Sequence, residues 1–240
     1  MILIHSMFWY IIILLTVIIS FVILKSNHIE NFDNNFDIYV ITLKSKDRLN
    51  NIKIQQKKID IPIKIFDAVN GNDLSLNQFN IGNGLNENET QKKREVGCYL
   101  SHYNIYKICK KTGYTIVFED DFLIDVDNLI DKINQSIEKL NNAKIDFDIM
   151  FLGNHHWDKN YGTLIVDNLY KVGNGEGLGG THGYVINNKN VDKIIKETEY
   201  IDKTIDMKIQ FLADQKKLNI ICTYPYYVKY IDTHSTIAVD

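Results

Sequence analysis

The sequence predicts an α/β domain with a mainly parallel sheet, preceded by one N-terminal transmembrane helix. From residue 36 onward, short β-branched strand patterns alternate with helical patterns, which is typical of a sheet covered by helices. The first 24 residues contain no Asp, Glu, Lys or Arg, which is typical of a membrane segment. Hydrophobic residues make up 45% of the chain, charged residues 24%, and the net charge is -3. This balance excludes a wholly disordered chain and gives no bulk attraction to nucleic acid, so we expect no nucleic-acid partner.

The apolar segment over residues 7–24 is interrupted only by Thr16 and Ser20. At about 1.5 Å per residue it spans roughly 27 Å, close to the thickness of a bilayer's hydrocarbon core. The alternatives are a buried core helix and a cleaved signal peptide, but the latter normally has a basic start and a shorter apolar run. We therefore expect a single-pass membrane protein with a signal-anchor over residues 1–25 and a stem over 26–35. Sequons at Asn88 and Asn134 favour a lumenal domain, in the ER or Golgi of a eukaryotic cell.

The domain over residues 36–240 begins with a βαβ pattern, with a strand over 38–43, a helix over 48–59 and a strand over 63–66. A helix over 97–111 follows and ends before Gly113, a common cap residue. Further strands are predicted over 115–118, 147–152, 168–172, 183–186 and 220–224, and further helices over 126–140, 191–198 and 205–214. Strands that alternate with helices in this way predict an α/β sandwich.

Three adjacent carboxylates, Glu119, Asp120 and Asp121, follow the strand predicted over 115–118. Ligands of open parallel sheets bind outside the carboxyl ends of the strands. Three carboxylates at such a place repel one another unless a cation compensates them. Because side chains alternate along a strand, Glu119 and Asp121 are expected on one side and Asp120 on the other, which suits Mn²⁺ or Mg²⁺. A solvated charged turn is the alternative interpretation.

A glycine-rich stretch over residues 173–183 contains a GxGxxG match that starts at Gly175. A dinucleotide fingerprint requires a helix after the match, whereas a strand is predicted here, so the match is a decoy. Both a plain connection and a mobile flap beside a site remain open. Asp202 and Asp206 are four residues apart and share a face if a helix includes both.

Hydrolase patterns receive little support from the sequence. Ser101 and His102 are adjacent on a predicted helix and point apart, and the chain lacks GxSxG, so acyl-transfer chemistry is not expected. Cys98, Cys109 and Cys222 have no CxxC spacing, which argues against a zinc knot or a disulfide scaffold and favours packing roles.

A series of motifs follows one another along about residues 38–237: IYVITL (38–43) followed by Asp47-Arg48, DAVNG (67–71), REVGCYLSH (94–102), IVFEDD (116–121), FDIMFLG (147–153), THGYVI (181–186) and Ile205-Asp206. Taken in order, these motifs resemble glycosyltransferase family 25, which includes bacterial lipooligosaccharide galactosyltransferases and collagen hydroxylysine galactosyltransferases. Asn70 stands where the family has Asp, and Arg94 stands where it has Gly.

This resemblance implies a GT-A fold over residues 36–240 and a Mn²⁺-dependent, or Mg²⁺-dependent, inverting transfer. The implied donor is a UDP-sugar, most often UDP-galactose, and the acceptor is a hydroxyl of a glycan or protein. An inverting transfer also needs a carboxylate that takes the proton of the acceptor hydroxyl. The resemblance agrees with the carboxylate pattern in giving Glu119 and Asp121 to the metal. Our hypothesis for the base is Asp206, with Asp202 second. Arg48, Asp67, Ser101, His102 and Asp120 are expected on the nucleotide side, and Thr181, His182 and Tyr184 near the sugar.

Two other functions remain as alternatives to the transferase. A domain that has lost catalysis can keep the same fold as a receptor for a carbohydrate or nucleotide-sugar, and the changes at Asn70 and Arg94 favour this interpretation. A metal-dependent phosphodiesterase can use the same carboxylates, but no supporting cluster of His and Asp residues accompanies them.

Overall fold

The computed structural model describes Thr16 and residues 35–155, 159–173, 175 and 177–231. Nearly all of the predicted anchor and stem therefore lies outside the described residues, and both remain predictions. Within the described part, no helix is long and apolar enough to cross a membrane.

The predicted helices and strands form in the predicted order, and the structure adds three strands that the sequence did not predict, over Phe122–Ile124, Gly162–Val166 and Val228–Tyr230. The helices are α1 (Lys46–Gln56), α2 (Glu89–Ile108), α3 (Leu129–Asn142), α4 (Val191–Glu197) and α5 (Ile205–Asp214). The strands are β1 (Phe36–Thr42), β2 (Ile63–Asp67), β3 (Tyr114–Glu119), β4 (Phe122–Ile124), β5 (Ile149–Phe151), β6 (Gly162–Val166), β7 (Leu169–Val172), β8 (Gly183–Asn187), β9 (Ile220–Thr223) and β10 (Val228–Tyr230).

The described strands form an eight-stranded sheet of order β2-β1-β3-β8-β5-β9-β7-β6 and a two-stranded sheet of β10 and β4. The prediction of an α/β fold is confirmed, and the architecture fits a Rossmann-like fold. The large sheet is mixed, which corrects the expectation of a mainly parallel one. β1 pairs in parallel with β2 and β3, and β5 with β9, whereas β8 runs antiparallel between β3 and β5. β7 is antiparallel to both β6 and β9.

The two faces of the large sheet bury separate apolar clusters. Ile116 and Phe118 of β3 belong to the cluster that includes residues of α1 and α3. Val117 belongs to the other cluster, which includes residues of α2, α4 and α5. Because neighbouring residues of one strand point to opposite faces, β3 contributes to both cores and the domain has three layers.

The antiparallel direction of β8 brings a second segment to the end of β3. Phe118 lies opposite Gly183 in the pairing of β3 with β8. The residues that precede β8 therefore arrive beside the carboxylates that follow β3. The backbone N–H of Glu119 donates to the carbonyl of His182 at 3.3 Å, which extends this contact beyond the strands.

Two elements differ from the sequence prediction near this edge. Helix α2 begins at Glu89, well before residue 97, and its N-cap is Asn88, whose side chain accepts from the N–H of Gln91. Its first turns are polar, so they lack the apolar period that would have indicated a helix. Helix α5 begins at Ile205, so Asp202 lies outside it, and the shared helical face that would require a helix over both Asp202 and Asp206 does not form.

Candidate active site

A cavity of about 590 Å³ lies at the carboxyl-terminal edge of β1, β2 and β3. This volume lies within the range of small-molecule sites, about 300–1,000 Å³. Helix α2 forms one wall with Arg94, Cys98, Ser101 and His102. The other lining residues include Thr42, Leu43, Ser45 and Arg48 at the end of β1 and beyond it, Ala68, Val69, Asn70, Gly71 and Asn72 after β2, and Glu119, Asp120 and Asp121 at the end of β3.

Gly97 and Ser101 fasten α2 to the segment that follows β2. A Cβ at Gly97 would lie 2.7 Å from the carbonyl oxygen of Val69, so only glycine permits this approach of helix and loop. The N–H of Val69 donates to Ser101 Oγ at 2.9 Å, and that hydroxyl donates to the carbonyl of Gly97 at 2.7 Å. Ser101, predicted for the nucleotide, thus lines the cavity and also fixes the shape of its wall.

Arg48 lies between two of the three carboxylates. Ser45 caps α1 by accepting from the N–H of Arg48, which places Arg48 in the first turn of the helix. Its Nε lies 3.5 Å from Asp120 Oδ1, and its Nη1 lies 3.3 Å from Asp121 Oδ2. The expectation that Asp120 faces away from Asp121 is therefore wrong. Strand β3 ends at Glu119, and the two aspartates occupy the turn before β4, where strand alternation does not apply.

Hydrogen bonds fix the backbone of the turn at Asp120 and Asp121, whereas the surroundings of the two carboxylates raise their pKa values. Asn51 donates from Nδ2 to the carbonyls of Asp120 and Phe122, at 3.0 and 2.9 Å. Burial and the charge of Glu119 raise the pKa of Asp121 to about 7, although Arg48 opposes the change. Burial also raises the pKa of Asp120, against a hydrogen bond from Thr42 and the charge of Arg48. Asp121 Oδ1 is buried and has no hydrogen-bond partner among the described residues.

Glu119 is held by side chains from α2 and from the segment before β8. His102 Nε2 lies 3.2 Å from Glu119 Oε1, and Thr181 Oγ1 donates to the same oxygen. Burial raises the pKa of Glu119, but the contacts with His102 and Thr181 outweigh it and hold the pKa at about 2. An ionised carboxylate only accepts, so Nε2 of His102 donates to Glu119. The sequence prediction placed these three residues in one site, and the structure brings them together.

Asp206 fastens the glycine-rich loop next to Thr181. Its Oδ2 accepts from the N–H of Gly180 at 2.9 Å, and its Oδ1 accepts from the N–H of Met207 at 2.8 Å. Thr204 Oγ1 also donates to Oδ1, at 2.5 Å. Asp206 thus fixes the backbone next to Thr181, whose hydroxyl donates to Glu119.

A family model covers most of the described domain. A model of the family described as Glycosyltransferase family 25 (LPS biosynthesis protein) matches residues 35–209. The chain belongs to glycosyltransferase family 25. The match confirms the resemblance that the sequence motifs indicate.

This family 25 chain is similar to relatives named as galactosyltransferases and to relatives named as inactive. Procollagen galactosyltransferase 1-A of Xenopus laevis is 30% identical over 130 residues, which are 49% of this chain and 21% of that protein. Inactive glycosyltransferase 25 family member 3 of Homo sapiens is 28% identical over 128 residues, again 49% of this chain and 21% of that protein. The matched segment thus spans about a fifth of the length of these curated relatives.

Among solved structures, the likeness is to a protein of low sequence identity. The crystal structure of A197 from STIV covers 82% of this chain and 86% of that chain, with a TM-score of 0.39 and 14% sequence identity. A likeness at this level says nothing about function.

Two residues predicted to contact ligands in the family 25 site lie elsewhere. Tyr184 is fully buried, and its hydroxyl lies 2.8 Å from His102 Nδ1, so it supports His102 from within the core and does not reach a sugar. Asp67 is exposed, pairs with Lys44, and is not among the residues that line the cavity. Asp67 is the last residue of β2, the strand at one edge of the large sheet, and its side chain is open to solvent.

His182 lies on the β8 side of Glu119. It is 1% exposed, and neither of its ring nitrogens has a hydrogen-bond partner among the described residues. Burial lowers its pKa to about 4, with His155 contributing and Glu119 opposing, so the ring is neutral at pH 7. The rings of His155 and Tyr230 pack against it, with centroids at 4.9 and 5.6 Å.

Asp202 is neutralised by a neighbouring lysine. Lys208 Nζ lies 2.6 Å from Asp202 Oδ1, and the lysine side chain is only 7% exposed. This ion pair engages one carboxylate oxygen of Asp202 and holds the side chain in place.

Three acceptors in one row on α5 hold the glycine-rich loop. Asp206, Gln210 and Asp214 lie four residues apart and accept from the N–H groups of Gly180, Leu178 and Gly175, at 2.9, 3.1 and 2.9 Å. The described part of the loop is thus fastened along the helix, which favours the connection over the mobile flap. The four-residue spacing of these acceptors is visible in the sequence, but only the fold shows that they bind the glycine-rich loop.

Proposed function

We propose that the chain is a GT-A hexosyltransferase of family 25. It would transfer a hexose, with galactose as the first candidate, from a UDP-sugar to a hydroxyl of a glycan or protein, with inversion. The observation that carries this proposal is the cavity beyond β1, β2 and β3, in which Arg48 and three carboxylates converge. The similarity to procollagen galactosyltransferase 1-A supports galactose as the donor sugar.

The carboxylate oxygens at the carboxyl-terminal edge of β3 fit a hard divalent cation. Glu119 and Asp121 would hold Mn²⁺ or Mg²⁺, because carboxylate oxygens suit these ions. The fit rests on Asp121 Oδ1, a buried oxygen without a hydrogen-bond partner among the described residues. When bound, the ion would neutralise charge on the diphosphate leaving group.

The remaining roles fall to side chains that surround the carboxylates. Arg48 would orient Asp120 and Asp121 and contribute positive charge on the nucleotide side. His102 and Thr181 would fix the orientation of Glu119. Asp206 would accept the proton of the attacking hydroxyl, since it lies beside the Gly180–Thr181 segment, and Asp202 is the second candidate.

A receptor that has lost catalysis is the second candidate function. It is favoured by the similarity to relatives named inactive, among them a probable inactive family member 3 of Rattus norvegicus at 30% identity over 106 residues, which are 40% of this chain and 18% of that protein. Arg94 and Asn70 both line the cavity at positions where the family motif has other residues. Such a protein would bind the nucleotide-sugar without turning it over.

One assay separates the two functions. The full chain in detergent is incubated with radiolabelled UDP-galactose, UDP-glucose and UDP-N-acetylglucosamine, with Mn²⁺ or with a chelator. Release of UDP that requires the metal supports the transferase and identifies the donor. Binding of a UDP-sugar without release supports the receptor.

The membrane location is proposed from the sequence of residues 1–25. This segment would anchor the domain to a membrane as a single span, with the domain in the lumen of the ER or Golgi in a eukaryotic cell. Carbonate extraction and protease protection of intact microsomes test the anchor and its orientation. Release of the chain by carbonate would overturn the anchor.

A further inference from the structure

Cys98, His102 and Glu119 bring three different ligand types to one point of the cavity. Cys98 and His102 are one helical turn apart on α2, so both side chains leave the same face of the helix. Glu119 ends β3, beneath that face. One ligand atom from each residue lies within 4.8 Å of the other two.

The spacing of these atoms matches coordination of one ion after a small adjustment. His102 Nε2 and Glu119 Oε1 are 3.2 Å apart. Two ligands bound to one zinc ion at about 2.0–2.2 Å each, in a tetrahedral arrangement, are separated by a little over 3 Å. The sulfur of Cys98 needs to move inward by about 1 Å or less, since a Zn–S bond is about 2.3 Å long.

The contacts that usually support metal ligands are already in place. A histidine bound to a metal normally hydrogen-bonds through its other ring nitrogen, and a bound carboxylate is normally hydrogen-bonded as well. Here His102 Nδ1 lies 2.8 Å from the hydroxyl of Tyr184, and Thr181 donates to Glu119. With an ion on Nε2, the ring proton resides on Nδ1 and points to Tyr184.

We propose that Cys98, His102 and Glu119 form a three-ligand site for Zn²⁺ or a similar first-row dication, with the fourth position open to the cavity. All three residues line the cavity, so the fourth ligand would be water or a substrate oxygen. Thiolate and imidazole ligands favour Zn²⁺ and Co²⁺ over Mn²⁺ and Mg²⁺. Binding forms the metal–sulfur bond and releases the thiol proton to the buffer.

The site would share only Glu119 with the proposed manganese site, and its occupation would affect Mn²⁺ binding. Glu119 belongs to both, so an ion held by Cys98 and His102 engages the carboxylate that would otherwise serve Mn²⁺. Zn²⁺ would therefore compete with Mn²⁺ for this edge of the sheet. The inference concerns metal binding alone and holds whether or not the chain transfers sugar.

Titration of the metal-free full chain with Co²⁺ alone tests the site. A thiolate ligand gives a sulfur-to-cobalt charge-transfer band in the near ultraviolet, and tetrahedral Co²⁺ gives strong visible bands. We expect both with one Co²⁺ per chain, and we expect Zn²⁺ to abolish them. Absence of the charge-transfer band at excess Co²⁺ would overturn the proposal.

Matched cysteine variants assign the sulfur. Cys98→Ser should lose the charge-transfer band, while His102→Gln should weaken Co²⁺ binding by about tenfold or more. The double variant Cys109→Ser/Cys222→Ser leaves Cys98 as the sole cysteine of the chain and should keep the band, even if Cys98→Ser fails to fold. A band of unchanged intensity in folded Cys98→Ser, or its loss in the folded double variant, would contradict the assignment. Because no UDP-sugar is present, failure of this test is distinct from failure of the transferase assay.

Discussion

The Nε2 atom of His102 lies 3.2 Å from Oε1 of Glu119, so a residue of α2 holds the carboxylate at the end of β3. His102 is 1% exposed, and its other ring nitrogen contacts Tyr184 within the core. The orientation of Glu119 therefore depends on packing deep beneath the cavity. Buried hydrogen-bonded chains of this kind fix one geometry when every member is satisfied.

Tyr184→Phe should destabilise the domain because it leaves His102 Nδ1 buried without a partner. We expect a loss of about 1–3 kcal/mol in the free energy of unfolding, measured by urea unfolding in detergent. Tyr200→Phe is the control, since Tyr200 is exposed, and it should change stability by about 0.5 kcal/mol or less. Equal effects of the two substitutions would show that the Tyr184 hydroxyl does not support His102.

His182 should make the domain less stable as the pH falls from about 6.5 to about 4. Burial lowers its folded pKa from the ordinary 6.5 to about 4, so the unfolded chain binds the proton more readily in this window. Its contribution is fully present above pH 6.5 and is lost on acidification, on the order of 3 kcal/mol in total. The stability difference between wild type and His182→Asn, measured at pH 7 and pH 4, should shrink by a comparable amount. A difference that is independent of pH would contradict the buried neutral ring.

Gly180→Ala should be more harmful than Gly175→Ala. Both glycines have a positive φ, +79° and +84°, so each alanine costs about 1 kcal/mol of backbone strain. A Cβ at Gly180 would also lie 2.1 Å from the ring of His155, whereas a Cβ at Gly175 meets nothing within 4 Å. We expect a further loss of about 1–3 kcal/mol for Gly180→Ala in urea unfolding, with lower UDP release. Similar values for both variants would mean that the ring of His155 does not pack on Gly180.

Asp206→Asn should abolish turnover while leaving UDP-sugar binding nearly intact. Removal of a general base typically lowers the rate by about 10²–10⁴-fold. Asp214→Asn is the matched control, because Asp214 accepts from the same loop at Gly175 but lies two helical turns further along α5. Normal turnover in Asp206→Asn would reject the proposed base and leave Asp206 as a structural contact.

The sequence predicts several helices and site residues correctly, but it does not predict strand direction or the turn after β3. The apolar period over 205–214 predicts α5 with its observed bounds, and the motifs place Glu119, His102 and Thr181 in one site. The direction of β8 could not be predicted. This strand is buried along its whole length, and its apolar pattern is the same whether it runs parallel or antiparallel to its neighbours. The turn at Asp120 and Asp121 escapes prediction for a similar reason, since a strand pattern does not show where its alternation stops.

Side-chain partners are the least predictable part of the site. Tyr184 belongs to a motif that points to the sugar, yet the pleat of β8 turns its ring into the core under α2. Cys98 is half-buried in the cavity wall, although the absence of CxxC spacing favours a packing role from the sequence. In both cases the neighbours come from distant parts of the chain, and only the fold brings them together.

Release of UDP from radiolabelled UDP-galactose tests the central proposal most directly. The wild-type chain with Mn²⁺ is compared with the same chain in chelator and with Asp121→Asn, and Asp192→Asn serves as an exposed carboxylate control. We expect release in the presence of Mn²⁺, a fall on the order of 10²-fold or more in chelator and in Asp121→Asn, and no change in Asp192→Asn. Release that continues unchanged in chelator and in Asp121→Asn would contradict the account.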